Sequence, residues 1–307
     1  MRVVVALGGN ALLRRGDKPD SALQVEHVAQ AAPALAAIAA EHELVLVHGN
    51  GPQVGMLALE SASDPSLSEP YPFSELVAET QGLIGYWVQQ ALTNAGLATP
   101  VVTLVTQTVV DPDDPAFERP TKFVGPSYDE STARDHAGRR GWTVRLDGTR
   151  WRRVVASPLP VRVAEIETAR ILVERGTTVV LAGGGGVPVV AGPHGLHGVD
   201  AVVDKDHVAA LVATELRADL LVMLTDVDAV MTDFGTLEQQ PIHHVSAAHL
   251  RTESFPDGSM GPKVTAACAF VSDTGGRAAI GSLRQATEVV AGTAGTQVGA
   301  VPAGSRR

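Results

Sequence analysis

The sequence contains a single cysteine, Cys268, and lacks long runs of apolar residues. One cysteine cannot form a disulfide within the chain, and Cys268 lies in an apolar helical stretch, which favours a buried thiol over a reactive one. No apolar run approaches the roughly 20 residues that a membrane-spanning helix needs. Arg2 is charged and no cleavage pattern follows it, which argues against a signal peptide. We therefore expect a cytoplasmic protein.

Positive charge is also scarce. The chain has 24 basic and 34 acidic residues, a net charge of −10 and a pI near 5.4. This balance argues against nucleic acid as a partner, because phosphate neutralisation needs clustered cations. An ammonium group is a compact point charge that fits a tight phosphoryl pocket better than a planar guanidinium does. The few lysines are therefore candidate site residues: Lys18, Lys122, Lys205 and Lys263.

What the sequence does contain is a set of apolar runs that end in small or polar residues. Runs without polar alternation are typical of strands buried on both faces of a parallel sheet, and such sheets bind ligands at their carboxyl edge. Glycines there let backbone N–H groups approach an anion, although a single isolated Gly-Gly pair more often indicates only a tight turn between a strand and a helix. Repetition favours an open α/β enzyme that handles phosphate. There are four such runs: 3–7 precedes Gly8, Gly9 and Asn10; 44–47 precedes His48, Gly49, Asn50 and Gly51; 177–181 precedes Gly183, Gly184, Gly185 and Gly186; and 220–224 precedes Thr225 and Asp226.

Residues 111–160 differ from the rest of the chain because they are charged and rich in proline. Within them, the β-like segments 142–146 and 151–155 flank an Asp-Gly-Thr turn, which predicts a hairpin. An insertion of about 50 residues is usually functional or mobile. We call residues 111–160 the flap. Its charged composition predicts little apolar docking surface, and both a mobile flap that carries Lys122 and a surface element that assists dimerisation remain open.

Lys205 and Lys263 lie where helices are predicted to begin. Asp204, Lys205 and Asp206 begin one helix, where a lysine opposes the helix dipole, so we expect the flanking carboxylates to hold it towards an anion. Lys263 lies in the first turn of another helix, near a further anion site. Three lysines and glycine loops without a Walker A pattern predict phosphoryl transfer by charge neutralisation. His48 is the one obvious base near the loops, and we expect it to be neutral and structural, which favours an acceptor that is already an oxyanion.

Metal binding by the protein itself is not predicted. His194 and His197 lack a third ligand at a fixed spacing, and we expect both to be solvated. Asp226, Asp228 and Asp233 lack the 12-residue spacing of a calcium loop.

The local patterns also predict element bounds that the structure can test. Pro33 predicts a kink or a break in the first helix. The predicted helices cover 21–40, 53–61, 74–94, 164–175, 204–216, 246–252 and 259–272, the further strands cover 100–108, 241–244, 277–280 and 296–298, and 192–199 is predicted as a loop.

Motifs along almost the entire chain resemble those of the carbamate kinase branch of the amino-acid kinase family. The resemblance implies an α/β fold, an open αβα sandwich with a mainly parallel central sheet and an inserted flap subdomain. It also implies a cytoplasmic homodimer that uses Mg²⁺ with ATP or ADP and interconverts carbamate and carbamoyl phosphate, commonly forming ATP at the end of arginine breakdown. The motifs are VALGGNALL, HGNGPQVG, TQGLIGYW, PTKFVGP, WRRVVASPLP, GGGGVPVV, VVDKD, LLVMLTDVDAV and GSMGPKV.

The resemblance also assigns roles by position. It implies one domain over 1–307, in which 1–175 with the flap binds the acceptor and 176–307 binds the nucleotide. The implied catalytic residues are Lys122, Lys205, Asp206 and Lys263. The implied phosphoryl-binding residues are Gly8, Gly9, Asn10, Gly49, Asn50 and Gly51, and the implied nucleotide contacts are Gly184, Gly185, Thr225, Asp226, Met260 and Gly261.

Two positions bear on the choice within the family. Phe123 stands where the family usually has proline after the flap lysine, which changes the expected stiffness of the flap. Ala6 stands where acetylglutamate kinases carry a lysine, and Lys122 would restore that charge. The alternatives are a kinase of the same fold acting on acetylglutamate, glutamate or uridylate, and a regulator or metal-storage protein without catalysis.

Overall fold

The computed structural model describes residues 1–9, 12–13, 16–255 and 260–299, so the predicted site residue Asn10 lies outside the described residues. The strands are β1 (Arg2–Leu7), β2 (Glu43–His48), β3 (Val101–Thr103), β4 (Gln107–Val110), β5 (Lys122–Tyr128), β6 (Thr143–Asp147), β7 (Arg150–Val155), β8 (Pro160–Val163), β9 (Thr178–Val180), β10 (Val187–Gly192), β11 (Gly195–Gly198), β12 (Leu220–Thr225), β13 (Val230–Thr232), β14 (Gln240–Ile242), β15 (His244–Val245), β16 (Arg277–Ser282) and β17 (Thr296–Val298). The α-helices are α1 (Ser21–Glu41), α2 (Gly51–Ser61), α3 (Phe73–Asn94), α4 (Glu130–Arg140), α5 (Ile166–Glu174), α6 (Lys205–Glu215), α7 (Ala247–Leu250), α8 (Met260–Thr274) and α9 (Ala286–Ala291).

An eight-stranded sheet forms the centre, in the order β15-β17-β16-β12-β1-β2-β9-β3. Neighbouring strands run parallel except for the pair β16 and β17. The four apolar runs of the sequence are β12, β1, β2 and β9, which are consecutive in this order. The predicted parallel sheet is therefore confirmed, and it brings the loops after these strands to one edge.

The sheet is covered on both faces. Val3 and Val5 of β1 pack in a cluster with α1, α3 and α9, whereas Val4 and Ala6 pack in a cluster with α5, α6 and α8. Successive side chains of a strand point to opposite faces, so both faces of β1 are apolar because both are buried. The αβα sandwich is confirmed. β9 lies between β2 and β3, so the strands of 1–175 and 176–307 intermingle in one sheet.

The predicted strand 100–108 was wrong, because it is two strands in different sheets. β3 ends at Thr103, and β4 begins at Gln107 in a four-stranded sheet with β8, β10 and β11. Thr106 lies between them, and its backbone N and Oγ1 both donate to Oε1 of the buried Gln81. This side-chain pairing replaces the ladder bonds of a continuous strand. The predicted loop 192–199 was also wrong, since β10 and β11 form an antiparallel hairpin there.

Pro33 does not break α1, which is continuous over 21 residues. Pro33 and Ala29, whose carbonyl loses its helical donor, are both exposed, so water can satisfy that carbonyl. Asp20 occupies the N-cap position, without a side-chain cap bond. Helix α9 and the flap elements β5 and α4 were not predicted. No helix in the described parts of the chain is both long and apolar enough to cross a membrane.

Candidate active site

Two glycine loops meet at the carboxyl edge of the central sheet. Gly8 N donates to Leu224 O at 2.9 Å, and Gly49 N donates to Leu7 O at 3.1 Å, so the chain turns directly after each strand. A methyl group at Gly49 would lie 3.2 Å from Cδ of Lys205 and 3.3 Å from Gly9 N. The aliphatic stem of Lys205 therefore runs across the place where the two loops approach each other.

Two of the predicted lysines share one buried carboxylate. Lys205 Nζ donates to Asp206 Oδ1 at 2.5 Å, and Lys263 Nζ donates to Asp206 Oδ2 at 3.1 Å. Burial alone would raise the pKa of Asp206, but the ammonium groups of Lys205 and Lys263 outweigh it and lower that pKa. Burial and the nearby charge of Lys205 lower the pKa of Lys263, and the negative charge of Asp206 opposes this lowering. Two crowded ammonium groups over one anion leave positive charge for a phosphoryl group.

Helix α6 positions this cluster. Its N-cap is Asp204, whose Oδ1 accepts from Asp206 N at 2.9 Å. The same carboxylate accepts from Lys122 Nζ through Oδ2, which ties the flap to the beginning of α6. Burial would raise the pKa of Asp204, but the charges of Lys122 and Lys205 lower it below its ordinary value. The sequence prediction treated Asp204 as a flanking group only; its place beside Lys205 was the signal that could have marked it as a site residue.

His48 and Asn50 lie against the four-glycine loop. His48 is 1% exposed, its Nδ1 donates to Gly49 O at 3.1 Å, and burial lowers its pKa to about 4. A side chain at Gly183 would come within 2.3 Å of His48 Nε2, and one at Gly184 within 2.1 Å of Asn50 Nδ2. Gly183 and Gly184 are therefore required because side chains there would collide with residues at the end of β2. These glycines follow β9, and β1 and β2 lie between β9 and β12 in the sheet. The nucleotide contacts of Gly184 and Gly185 stay a prediction.

The other predicted nucleotide contacts lie at the ends of β12 and α8. Thr225 ends β12, and its Oγ1 donates to Asp226 Oδ1 at 3.1 Å. Met260 and Gly261 form the first residues of α8, one turn before Lys263. A side chain at Gly8 would lie 3.7 Å from Thr225 Cα, so the end of β12 adjoins the first glycine loop. Their contact with a nucleotide stays a prediction.

The flap is a three-stranded antiparallel sheet, β5-β7-β6, with helix α4. The predicted hairpin is confirmed as β6 and β7. Its docking differs from the expectation of little apolar surface, since Val124 and Val155 of the flap share a buried cluster with Val54 and Val77 of the body. Val124 within β5 and Val155 at the end of β7 are both buried, which a count of charged residues does not detect.

Comparison with known proteins identifies the family. The model of the amino acid kinase family matches residues 1–282. The chain belongs to the amino acid kinase family. Within it, the chain is 48% identical to a carbamate kinase of Rhizobium meliloti over 96% of this chain and 92% of that protein, and 46% identical to one of Escherichia coli over 96% and 98%.

Solved structures agree with this assignment. The carbamate kinase of Giardia lamblia bound to AMP-PNP superposes with a TM-score of 0.88 at 38% identity, covering 97% of this chain and 98% of that one. The same protein bound to citric acid gives a TM-score of 0.91 at 37% identity, with 97% of each chain covered. The predicted fold is confirmed, and the protein is a kinase, a phosphotransferase.

Proposed function

We propose that this kinase is a carbamate kinase, which transfers a phosphoryl group reversibly between ATP and carbamate. In arginine breakdown it would run from ADP and carbamoyl phosphate to ATP and carbamate. The observation that carries the proposal is the convergence of Lys205, Lys263 and the flap lysine Lys122 on the adjacent carboxylates Asp206 and Asp204. The high identity to carbamate kinases over nearly the whole chain supports the choice of acceptor.

The reaction needs charge compensation more than covalent help. An oxygen of the terminal phosphate of ADP attacks the phosphorus of carbamoyl phosphate and forms the new bond of ATP. The bond from that phosphorus to the carbamoyl oxygen breaks, and carbamate leaves with the bonding electrons. Lys205 and Lys263 would neutralise the phosphate oxygens from α6 and α8, and Lys122 would do so from the flap. Asp206 would keep the two helix-borne ammonium groups at a fixed separation.

No general base is needed in the reverse direction, because carbamate already carries an oxyanion. His48 does not suit such a role, since it is 1% exposed and burial lowers its pKa to about 4, which makes its imidazole a weak base. Position 6 is a buried alanine, so the first strand contributes no charge to the site at this position. These features favour carbamate over a hydroxyl acceptor.

Mg²⁺ would arrive with the nucleotide. Among the residues that the structure describes, no three His, Cys, Asp or Glu side chains are grouped to hold a metal ion, and both oxygens of Asp206 bond to lysines. This fits an ion held by phosphate oxygens and water, where it would neutralise charge on the transferred group. We also propose a homodimer in the cytoplasm.

The test is ATP formation from ADP and carbamoyl phosphate in a coupled assay with Mg²⁺. In the opposite direction, carbamate should be phosphorylated, whereas acetylglutamate, glutamate and uridylate should not. Turnover with one of these three in place of carbamate would replace the proposed acceptor. Nucleotide binding without turnover on any acceptor would favour a regulator of the same fold.

A further inference from the structure

The flap contains two adjacent arginines on β7 with different surroundings. The guanidinium of Arg153 lies 4.8 Å from the ring centre of Phe73 and 4.6 Å from that of Trp142. Trp142 belongs to the flap, but Phe73 is the first residue of α3 in the body and is 1% exposed. Arg153 therefore lies between a ring of the flap and a ring of the body, and its contact with Phe73 joins the two parts; rings near a guanidinium stabilise its charge.

A carboxylate of the body, Asp200, acts on the same guanidinium through its charge. Asp200 Oδ1 accepts from Phe73 N at 2.9 Å, so it fixes the beginning of α3. Burial lowers the pKa of Arg153, and the negative charge of Asp200 opposes that change. The body thus offers a ring face and a negative charge to one flap side chain.

These contacts are linked to the site by short stretches of chain. Asp200 lies four residues before Asp204, and Val202 N between them donates to Ala156 O at the base of the flap, at 3.0 Å. On the flap side, Val155 of β7 is the register partner of Lys122 on β5. A displacement at Arg153 would therefore move the strand that supports Lys122.

We propose that Arg153 is a positioning residue, which seats the flap on α3 so that Lys122 reaches Asp204 and the phosphoryl site. The inference deepens the proposed function and rests on it. Arg153 acts through Lys122 and touches no reacting atom. A planar guanidinium can lie against two rings at once, which a lysine ammonium cannot do in the same way.

Arg152 provides a matched control on the same strand. Its Nε donates to Gly125 O at 3.2 Å, its Nη1 donates to Asp147 Oδ2 at 2.9 Å, and its guanidinium lies 5.5 Å from the Phe123 ring centre. All three partners are in the flap. Arg152→Met removes an arginine and a ring contact from β7 without removing a contact to the body.

The experiment compares Arg153→Met, Arg153→Lys and Arg152→Met in the full chain. We expect Arg153→Met to raise the KM for carbamoyl phosphate roughly tenfold, a ratio that corresponds to about 1.4 kcal/mol, with ADP affinity unchanged. Amide exchange of residues 122–128 should become faster. Arg153→Lys should resemble the methionine variant, and Arg152→Met should change the KM by less than about twofold.

A second variant, on the body side of the contact, tests the proposal even if Arg153→Met misfolds. Phe73→Leu keeps an apolar side chain in the buried cluster but removes the ring, so it should raise the same KM, and adding Arg153→Met to it should cost less than the two separate effects together. Equal KM values for the Arg153 and Arg152 variants, or full rescue by lysine, would overturn the proposal. If the wild-type enzyme forms no ATP, the proposed function fails, whereas the exchange of residues 122–128 still decides whether Arg153 seats the flap.

Discussion

The central sheet and the flap contribute to the same site in different ways. β1 pairs with β2 from Arg2 to Leu7 and with β12 from Val3 to Leu7, its apolar side chains are buried on both faces, and the glycine loops follow directly after β1 and β2. The flap is half exposed and is held by an apolar cluster, the Arg153 contacts and the pair of Lys122 with Asp204. The comparison indicates that Lys205 and Lys263 always hold their charges at the site, whereas Lys122 brings its charge to the site only when the flap is closed.

The largest effects should come from the permanent part. Replacing Lys205 or Lys263 with alanine should lower turnover by about 10²–10³-fold, the cost typical of one lost electrostatic donor, and should leave the fold intact. Arginine at either position should not restore turnover, because its planar fork cannot replace a point charge bound to Asp206. Steady-state kinetics with circular dichroism as the folding control test this, and near-normal turnover of an arginine variant would refute it.

Displacing the flap should have the next largest effect. A side chain at Gly55 of α2 would lie 2.1 Å from Gly125 Cα, a backbone atom of β5, so Gly55→Ala should push the flap away and raise the KM for carbamoyl phosphate at least about tenfold. Gly82→Ala in α3 is the control, since nothing lies within 4 Å of its added methyl group. Both changes favour a helix by up to about 1 kcal/mol, so equal KM values in the two variants would contradict this docking.

Ligand binding should change amide exchange in the flap more than in the central sheet. Carbamoyl phosphate should slow exchange in residues 111–160 more than in β1, whose amides are already protected by two neighbouring strands. Hydrogen exchange with mass spectrometry measures both regions in one sample. Equal protection of the flap with and without ligand would count against closure.

His48 should have the smallest effect on catalysis. His48→Gln keeps a neutral donor and should lower turnover by less than about tenfold, whereas loss of a general base usually costs about 10²–10⁴-fold. A thousandfold loss without a change in thermal stability would make His48 catalytic.

The same residue predicts a pH dependence of stability. The pKa of His48 falls from 6.5 to about 4 on folding, so between these values the unfolded chain binds a proton that the folded chain does not. The free energy of unfolding should therefore decrease as the pH falls through this window, by about 3 kcal/mol in total. Urea titrations should show that His48→Gln removes this part of the slope.

The sequence predicted the features that depend on local patterns. The buried strands, the hairpin of β6 and β7, and the lysine at the beginning of α6 follow from apolar runs, turn residues and helix-terminal charges. The αβα layers follow from strands without polar alternation, and the structure confirmed them.

Features that depend on contacts distant in sequence could not be predicted. In the sequence, Gly55 is an ordinary helix residue, and only the fold shows that Gly125 packs against it. Thr106 fits a strand pattern, and only the fold shows that its backbone N donates to Gln81. The pairing of Lys122 with Asp204 spans 82 residues. Contacts between residues distant in sequence give each of these positions its role.

The central claim is that the flap delivers Lys122 to a site that already holds the nucleotide-side charges. The most direct measurement compares Lys122→Met with the wild-type enzyme for ADP affinity and for ATP formation from carbamoyl phosphate. We predict unchanged ADP affinity and a loss of about 10²-fold or more in kcat/KM for carbamoyl phosphate. Near-normal ATP formation by the variant, or a loss of ADP affinity as large as the loss of turnover, would contradict the claim.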